Sequence, residues 1–474
     1  MTYFSSFCAA VVLTGMVVAP VAAEPSPSAE TTAPPLSVTV DTATPAVGQQ
    51  VRLDISSLPD LPVSVAVTDN RGTTPYGQFL TDAAGVGTAM WQATRTGATT
   101  FTVTSESPEY PTASASVSVD VISAPVDVAV GTASKRVRSE SPVRVQTLLA
   151  LRTGPPWAAG VVFEFKPWKG RWQRLTAAST SPEGTADAID RPWKSTLYRV
   201  RFPGDTEALA GYSSTARVQT SPAKRPVRRP RSLPEPIRKH RRPDRPAPLG
   251  RGANVRIQHI PSSVFKRMRG RTWSRGCLPR SSLRYVTTNY WGFDGYRYRG
   301  EMVVHASIAR NVRGIFQDFY RIRYPIRQMR LVDDFGPSRW KGANDYRSMA
   351  ADNTSAFNCR YVVGREPHVL SPHASGRSID INPWENPYIS PRGVYPNRAY
   401  LRRSVKHPAL FRPGNRPRQI MARHGCSWLG YSDTQHFDCW ASPRRRAAAM
   451  ADTGDRYPKS FKYRPGDKYG WGMD

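Results

Sequence analysis

Two short stretches near the C-terminus carry the residues best suited to chemistry. In Ser371-Pro372-His373-Ala374-Ser375-Gly376-Arg377-Ser378-Ile379-Asp380 a histidine and a carboxylate stand seven positions apart. In Asp433-Thr434-Gln435-His436-Phe437 a second histidine follows a carboxylate by three. Two imidazoles and one carboxylate are the donor set of a three-ligand catalytic zinc site, whose fourth position is left for water. A further carboxylate beside the metal can take the proton from that water. Gly376 lets the chain turn tightly, so that Asp380 can return to the ion that His373 holds. The spacing therefore points to metal-assisted hydrolysis, with His373, Asp380 and His436 as candidate Zn2+ ligands and Asp433 as candidate base. His240, His259, His305, His368, His407 and His424 lack such neighbours and read as surface or structural residues.

The elements that must position these groups lie in a region starting near Asn254, whose composition is that of a mixed α+β domain. Leu283–Tyr290 and Glu301–His305 read as strands. Between Ala306 and Tyr320, Ile308, Val312, Ile315, Phe316 and Phe319 recur at helical spacing and predict a buried amphipathic helix. Arg418 to His424, stopped at Gly425, predicts a second helix. Of five cysteines, Cys8 stands in an apolar N-terminal run, and Cys277, Cys359, Cys426 and Cys439 all fall in the C-terminal half. Four thiols in an exported chain imply two disulfides, with three connectivities to choose from. Cys277–Cys359 with Cys426–Cys439 is favoured, because the second pair would staple the loop carrying Asp433 and His436. No two of these cysteines have C-x-x-C spacing, which counts against a structural zinc site.

Export is expected from the N-terminus. Phe7–Val21 is apolar, and Val21-Ala22-Ala23 fits a cleavage site before Glu24, so 1–23 reads as a secretory signal peptide rather than a stable membrane span. Residues 24–35 read as a Pro/Ser/Thr spacer. From Leu36 the chain alternates apolar and polar residues in short runs: 36–40, 51–55, 63–67, 101–103 and 115–121. This predicts one β-sandwich over 36–122. Runs at 126–130, 143–145, 161–165 and 198–202 predict a second over 123–220, with Trp168, Trp172 and Trp193 expected in its core, the alternative being that they line a binding face. The stretches Gly160-Val-Val-Phe-Glu-Phe, Trp172-Gln-Arg-Leu and Thr196-Leu-Tyr-Arg-Val-Arg-Phe-Pro-Gly204-Asp resemble bacterial immunoglobulin-like modules of surface proteins. Residues 221–253 alternate prolines with Arg and Lys and predict an extended, semi-rigid linker. The catalytic region is expected over 254–443, followed by a basic tail, 444–474.

The chain has 474 residues, 39% of them hydrophobic, with 12 Trp and 20 Tyr, enough for several cores and too many for a disordered chain. A formal net charge of +31 draws it to polyanions: nucleic acid, an acidic membrane face or an anionic cell wall. No nucleic-acid recognition motif accompanies the charge, and nucleic acid is not the expected partner.

The motif Ser-x-His-x-x-Gly-x-x-x-Asp followed by Asp-x-x-His-Phe resembles the zinc D-alanyl-D-alanine peptidase family. That family includes D-alanyl-D-alanine carboxypeptidases and L-alanyl-D-glutamate endopeptidases of phage endolysins and spore-forming bacteria. Its usual loop has alanine where this chain has Ser378. Similarity extends through Gly300–His305, Tyr324–Ile326, Asn353–Arg360, Asp380–Pro383 and Asn386–Tyr388, and covers about 254–440. The resemblance implies an α+β domain of the D-Ala-D-Ala peptidase/hedgehog type behind two N-terminal all-β immunoglobulin-like sandwiches. It implies zinc held by His373, Asp380 and His436, Asp433 as catalytic base, Arg360 facing the scissile carbonyl, and Ser371 at the substrate or bracing the loop. The substrate it implies is the peptide stem of peptidoglycan. Anionic wall polymers are then expected at the basic linker, and a monomeric, secreted or wall-associated protein is expected. The alternatives are a D,D-carboxypeptidase acting on terminal D-Ala-D-Ala, and an inactive wall-binding surface protein.

Overall fold

The structure, a computed structural model, describes residues 32–168, 170–228, 245–339, 341–362, 369–390, 393–404 and 406–440. The expected signal segment, most of the spacer, the middle of the linker, His240, His368 and the basic tail lie outside the described residues.

The alternating runs at the N-terminus form strands because every second residue is Val, Leu, Ile or Phe and is turned into a common core. The first sandwich comprises β1 (Ser37–Val40), β2 (Gln50–Ser56), β3 (Pro62–Asp69), β4 (Gly72–Leu80), β5 (Val86–Gln92), β6 (Gly97–Ser105) and β7 (Ser114–Val121). Its two antiparallel sheets run β1-β2-β5 and β4-β3-β6-β7. The second comprises β8 (Val126–Thr132), β9 (Arg136–Arg138), β10 (Val143–Leu151), β11 (Gly160–Pro167), β12 (Gln173–Ser179), β13 (Thr185–Asp190), β14 (Thr196–Phe202), β15 (Gly211–Tyr212) and β16 (Ala216–Ser221). Here the sheets run β13-β10-β8 and β12-β11-β14-β16-β9, with β15 on β14. Both are immunoglobulin-like two-sheet sandwiches, and one continuous set of buried side chains fills them, from Val38 to Val218.

The C-terminal region is α+β. It contains β17 (Arg256–Gln258), α1 (Ser262–Met268), β18 (Leu283–Trp291), β19 (Arg297–His305), α2 (Ala309–Arg321), β20 (Gln328–Met329), α3 (Asp345–Ala350) and β21 (Asn353–Thr354). Next come β22 (Ser378–Asp380), β23 (Tyr388–Ser390), β24 (Gly393–Tyr395), α4 (Arg416–Arg423), β25 (Cys426–Trp428) and β26 (His436–Cys439). The long hairpin β18–β19 extends a sheet with β17, and β22-β26-β25 form a second small sheet. Helix α2 lays Val312, Ile315, Phe316 and Phe319 on that framework, all nearly inaccessible. Ile308 is buried too, but in a 3-10 turn just ahead of the helix. Helix α4 begins two residues earlier than expected, because the Asn415 side chain accepts from Arg418 N and Pro417 suits the first turn. Among the described residues no helix is long and apolar enough to cross a membrane.

The three tryptophans expected in the second core take other places. Trp168 is 58% exposed and Trp172 is half-buried. Trp193 packs against the C-terminal core instead. Its indole N–H donates to Arg297 O at 2.5 Å, and its ring meets Tyr298 edge-on at 5.3 Å. Beside it the buried Arg297 guanidinium is paired with Glu140 through Nε at 2.7 Å, and Tyr296 OH donates to Thr220 O. The linker also behaves differently at its ends. Val227 N donates to Phe293 O, and Arg245 is held by Asp294 at 2.6 Å and by Arg327 O at 2.9 Å, so both described ends lie along the β18–β19 hairpin. The second sandwich is thereby seated on the strand pair that supports the C-terminal region. Replacing Glu140 by Ala leaves the Arg297 charge enclosed without its partner and is expected to cost about 3 kcal/mol. Thermal unfolding of the full chain measures that loss, and an unchanged Tm would show that the junction contributes nothing.

Candidate metal centre

The first motif folds as a short turn that docks on the end of β19. Ser371 caps a 3-10 turn over Pro372–Ser375, its Oγ accepting from His373 N at 3.4 Å. The turn ends at Gly376, with φ of +66°, and a Cβ there would sit 2.9 Å from His305 N. Any side chain would thus be strained and would collide with backbone, and it would break the bond from His305 N to Gly376 O at 2.7 Å. After this turn the chain enters β22.

Strand register then brings the two motifs together. In the antiparallel pair β22–β26, Asp380 stands opposite His436 and Ser378 opposite Asp438, while Ile379 and Phe437 between them point into the core. Direct cross-strand partners share a face. His373 Nε2 lies 3.1 Å from His436 Nδ1, and each of these nitrogens lies 3.1 Å from one oxygen of Asp380. All three residues are buried, and among the described residues they form the one His/Asp/Glu/Cys group with metal-ligand spacing.

The outer nitrogens decide what the inner ones offer. His373 Nδ1 lies 2.7 Å from Ala356 O, an acceptor only, so this nitrogen carries the proton. His436 Nε2 lies 3.0 Å from Asp438 Oδ1 and donates to it, and Ser378 Oγ donates to the same oxygen at 2.6 Å. Both tautomers are therefore set with lone pairs facing Asp380. Two nitrogen lone pairs and a carboxylate at 3.1 Å repel one another unless a proton or a metal ion lies between them, and metal binding displaces that proton. The two nitrogens are 3.1 Å apart, and one ligand atom from each of the three residues lies within 4.8 Å of the others, a spacing that a single zinc ion can bridge. The residues present fit a tetrahedral divalent ion.

Electrostatics agree. Burial opposes ionisation of Asp380, yet the facing His373 and His436 hold its carboxyl well below the usual carboxylate range. Burial likewise disfavours a charged His436, but Asp438 and Asp380 outweigh it and raise its pKa well above the ordinary value. The cluster attracts positive charge.

Asp433 comes from the turn that enters β26. Thr434 pins this turn, its Oγ1 donating to Pro387 O at 2.9 Å, while Ile389 N donates to Ser432 O. Burial, and next the negative charge of Asp380, push the Asp433 carboxyl up to about 7, and its Oδ1 is enclosed with no partner among the described residues. A carboxyl so placed exchanges a proton near neutrality. Arg360 bonds Asp345 at 2.6 Å and Tyr361 O at 3.2 Å, and lies near enough to Asp380 for their charges to interact. Its Nε and the Oε1 of Gln435 are also enclosed and unpartnered among the described residues. Ser371 is buried, and its Oγ accepts from His373 N at 3.4 Å.

Two disulfides frame the site, Cys277–Cys359 and Cys426–Cys439, the expected pairing. Cys359 immediately precedes Arg360, and Cys439 immediately follows Asp438. Of the other described histidines, His305 bonds Ser307, His424 bonds Asp318, His407 packs on Phe293, and His259 is exposed. Sequence reasoning missed Asp438. Its spacing of two from His436 on a strand was the available signal, since residues i and i+2 share a face.

Fold and site together define a modular chain in which immunoglobulin-like sandwiches precede an α+β domain with a His-Asp-His cluster of metal-ligand geometry. A family model described as D-alanyl-D-alanine carboxypeptidase matches residues 364–439, the segment that carries all three candidate ligands and Asp433, and the C-terminal region thus resembles that peptidase family. No curated protein matches the chain. Similar solved structures include a tetra-tandem repeat from the extending region of a large adhesion protein, 11% identical with a TM-score of 0.27, covering 58% of this chain and 64% of that one. They include invasin, a bacterial integrin-binding protein (13% identical, TM-score 0.28, 56% and 48% covered). A two-domain fibronectin type-III segment of chicken tenascin is 8% identical with a TM-score of 0.25, covering 39% of this chain and 97% of the segment. The chain thus spans less than two thirds of the adhesion-protein repeat, and the sandwich architecture rests on the strand orders described above.

Replacing Asp438 by Asn removes the charge that fixes the His436 tautomer. It is expected to lower divalent-metal affinity by about 10–100-fold. Competition with a chromogenic chelator reads this without reference to activity, and unchanged affinity would remove Asp438 from the site.

Proposed function

We propose that the chain is an exported zinc peptidase that hydrolyses peptide bonds in the stem peptides of peptidoglycan. The observation that carries the reading is the convergence of His373, Asp380 and His436 with their lone pairs and charge directed at one another, inside the segment matched by a peptidase family model. When bound, zinc would supply Lewis acidity to water and to the scissile carbonyl. His373 and His436 would hold it as neutral imidazoles, fixed by Ala356 O and Asp438. Asp433 takes the water proton and returns one to the leaving amine, a role supported by its raised pKa and its unpartnered Oδ1. Arg360 supplies positive charge as the carbonyl oxygen becomes an oxyanion, with Asp345 fixing its direction. Export is supported by the apolar N-terminal run and by two disulfides, which form in oxidising compartments.

A second reading, carboxypeptidase action on terminal D-Ala-D-Ala, is favoured by the description of the matched family. The two readings predict different products. Incubating the full chain with zinc and a defined stem pentapeptide, followed by mass measurement, shows either loss of the terminal alanine or internal cleavage. No cleavage of any stem peptide would sink both readings.

Asp433→Ala is expected to keep its metal and to lose about 10²–10⁴-fold in turnover. His373→Ala is expected to lose metal as well as rate. Metal analysis beside the kinetics separates these roles, and full zinc occupancy in the His373 variant would count against its ligation.

A further inference from the structure

The second sandwich has an outer face unlike the rest of its surface. Strand β14 buries Tyr198, Val200 and Phe202, which turns Leu197, Arg199 and Arg201 outward. Register extends this face across the sheet. Glu164 and Lys166 of β11 stand opposite Arg199 and Leu197, and Arg174 of β12 stands opposite Glu164. On the other side Arg217 of β16 stands opposite Leu197, and Tyr212 of β15 opposite Arg201. Five cations thus share the face with one carboxylate, and that carboxylate is already bonded to Arg199 at 2.7 Å.

Aromatic rings are interleaved with these charges. The Arg199 guanidinium lies between Trp172 and Tyr212, 4.3 and 4.5 Å from their ring centres, and Arg217 lies 5.0 Å from Trp168. Trp168 is 58% and Tyr212 56% exposed, so neither ring is a core residue. Exposed rings offer flat apolar surfaces for sugar rings, and the cations among them attract acidic groups. Uncompensated like charges on one sheet face also repel, and a polyanion relieves that repulsion.

We infer that this face is a docking surface for a linear anionic polysaccharide. Sugar rings stack on Trp168 and Tyr212, and carboxylate or phosphate groups meet Arg174, Arg201 and Arg217. Single-stranded nucleic acid presents a similar combination of rings and charge. The two disulfides favour the polysaccharide, because they place the chain in an oxidising compartment. The surface is separate from the metal cluster and does not depend on the peptidase reading.

The test uses the full chain at about 0.15 M salt, with polygalacturonate as the probe and dextran, poly(glycerol phosphate) and oligothymidylate as comparisons. Polygalacturonate is expected to bind at least about tenfold more tightly than neutral dextran. The pair Trp168→Ala with Tyr212→Ala is expected to weaken polygalacturonate by about tenfold. The same pair should leave poly(glycerol phosphate), which has charge but no sugar rings, within about twofold. Arg201→Gln with Arg217→Gln should weaken both polyanions and flatten the salt dependence. Circular dichroism confirms that each variant is folded. Polygalacturonate binding that survives the loss of both rings within twofold would overturn the proposal, since attraction by the basic linker alone would explain it. Oligothymidylate binding tighter than polygalacturonate and lost in the same variants would overturn it in favour of nucleic acid.

Discussion

The C-terminal region is organised around a conflict of charge that two rungs of one β-ladder impose. With Asp380 opposite His436 and Ser378 opposite Asp438, strand register brings two carboxylates and an imidazole onto one face. The His373 turn then adds a second imidazole from above. Such a cluster gains nothing from burial; each desolvated carboxylate opposes folding unless positive charge compensates it. The surroundings do not relax this arrangement. Ala356 O and Asp438 orient both rings inward from behind, and Ile379 and Phe437 lock the strands into the core from the opposite face. The positive charge that relieves this conflict is a proton on His436 or, in the function proposed above, a divalent ion between the three side chains.

The supports of this ladder lead outward through continuous contacts. His305, the last residue of β19, holds Gly376 through its backbone, and Arg297, the first residue of β19, holds Glu140 of the second sandwich. One nine-residue strand therefore carries the metal-site turn at one end and the module junction at the other. The disulfides act in the same sense. Cys359 ties the segment before Arg360 to a chain position 82 residues away, and Cys439 ties β26 to β25. These links position the residues by packing and covalent ties.

Much of this was legible in the sequence. The His373-Asp380-His436 grouping, the β-modules and the paired cysteines all sit in short local patterns whose chemistry is specific. Of the sandwich strands missed, β4, β5, β12 and β13 are sheet edges, whereas β16 lies inside its sheet and the missed strands of the C-terminal region, β17 and β20 to β26, are only two to four residues long. An edge strand buries little of either face, and β4 is exposed along most of its length, so its alternation is faint. The helix-forming spacing of Ile308 to Phe319 was visible, but the 3-10 turn that begins it was not, because periodicity cannot distinguish a tight turn from the first turn of a helix. Asp438 was overlooked for a different reason. It gains meaning only when His436 is seen on a strand, where its neighbour two positions on faces the same way. The tryptophans mislead because composition reports that a residue is apolar and cannot report which domain it packs against. Trp193 serves a neighbour's core, and Trp168 serves none.

If the chain is the wall peptidase proposed above, the linker and the sandwiches bear on how it would meet an insoluble substrate. A long flexible tether would let a catalytic unit sample a wide volume at low local concentration. Here the described ends of the basic segment lie against the β18–β19 hairpin, and the second sandwich is bonded to the same hairpin through Trp193 and Glu140. A polymer held on the outer face of that sandwich would therefore be presented to the metal-site domain at a restricted distance and angle. Local concentration rises with such restriction only where the substrate bond falls within the reach allowed, and it vanishes elsewhere. In that function, rigid seating would exchange breadth of search for selectivity about which bonds are cut, and the high net charge would supply a long-range attraction to an anionic surface.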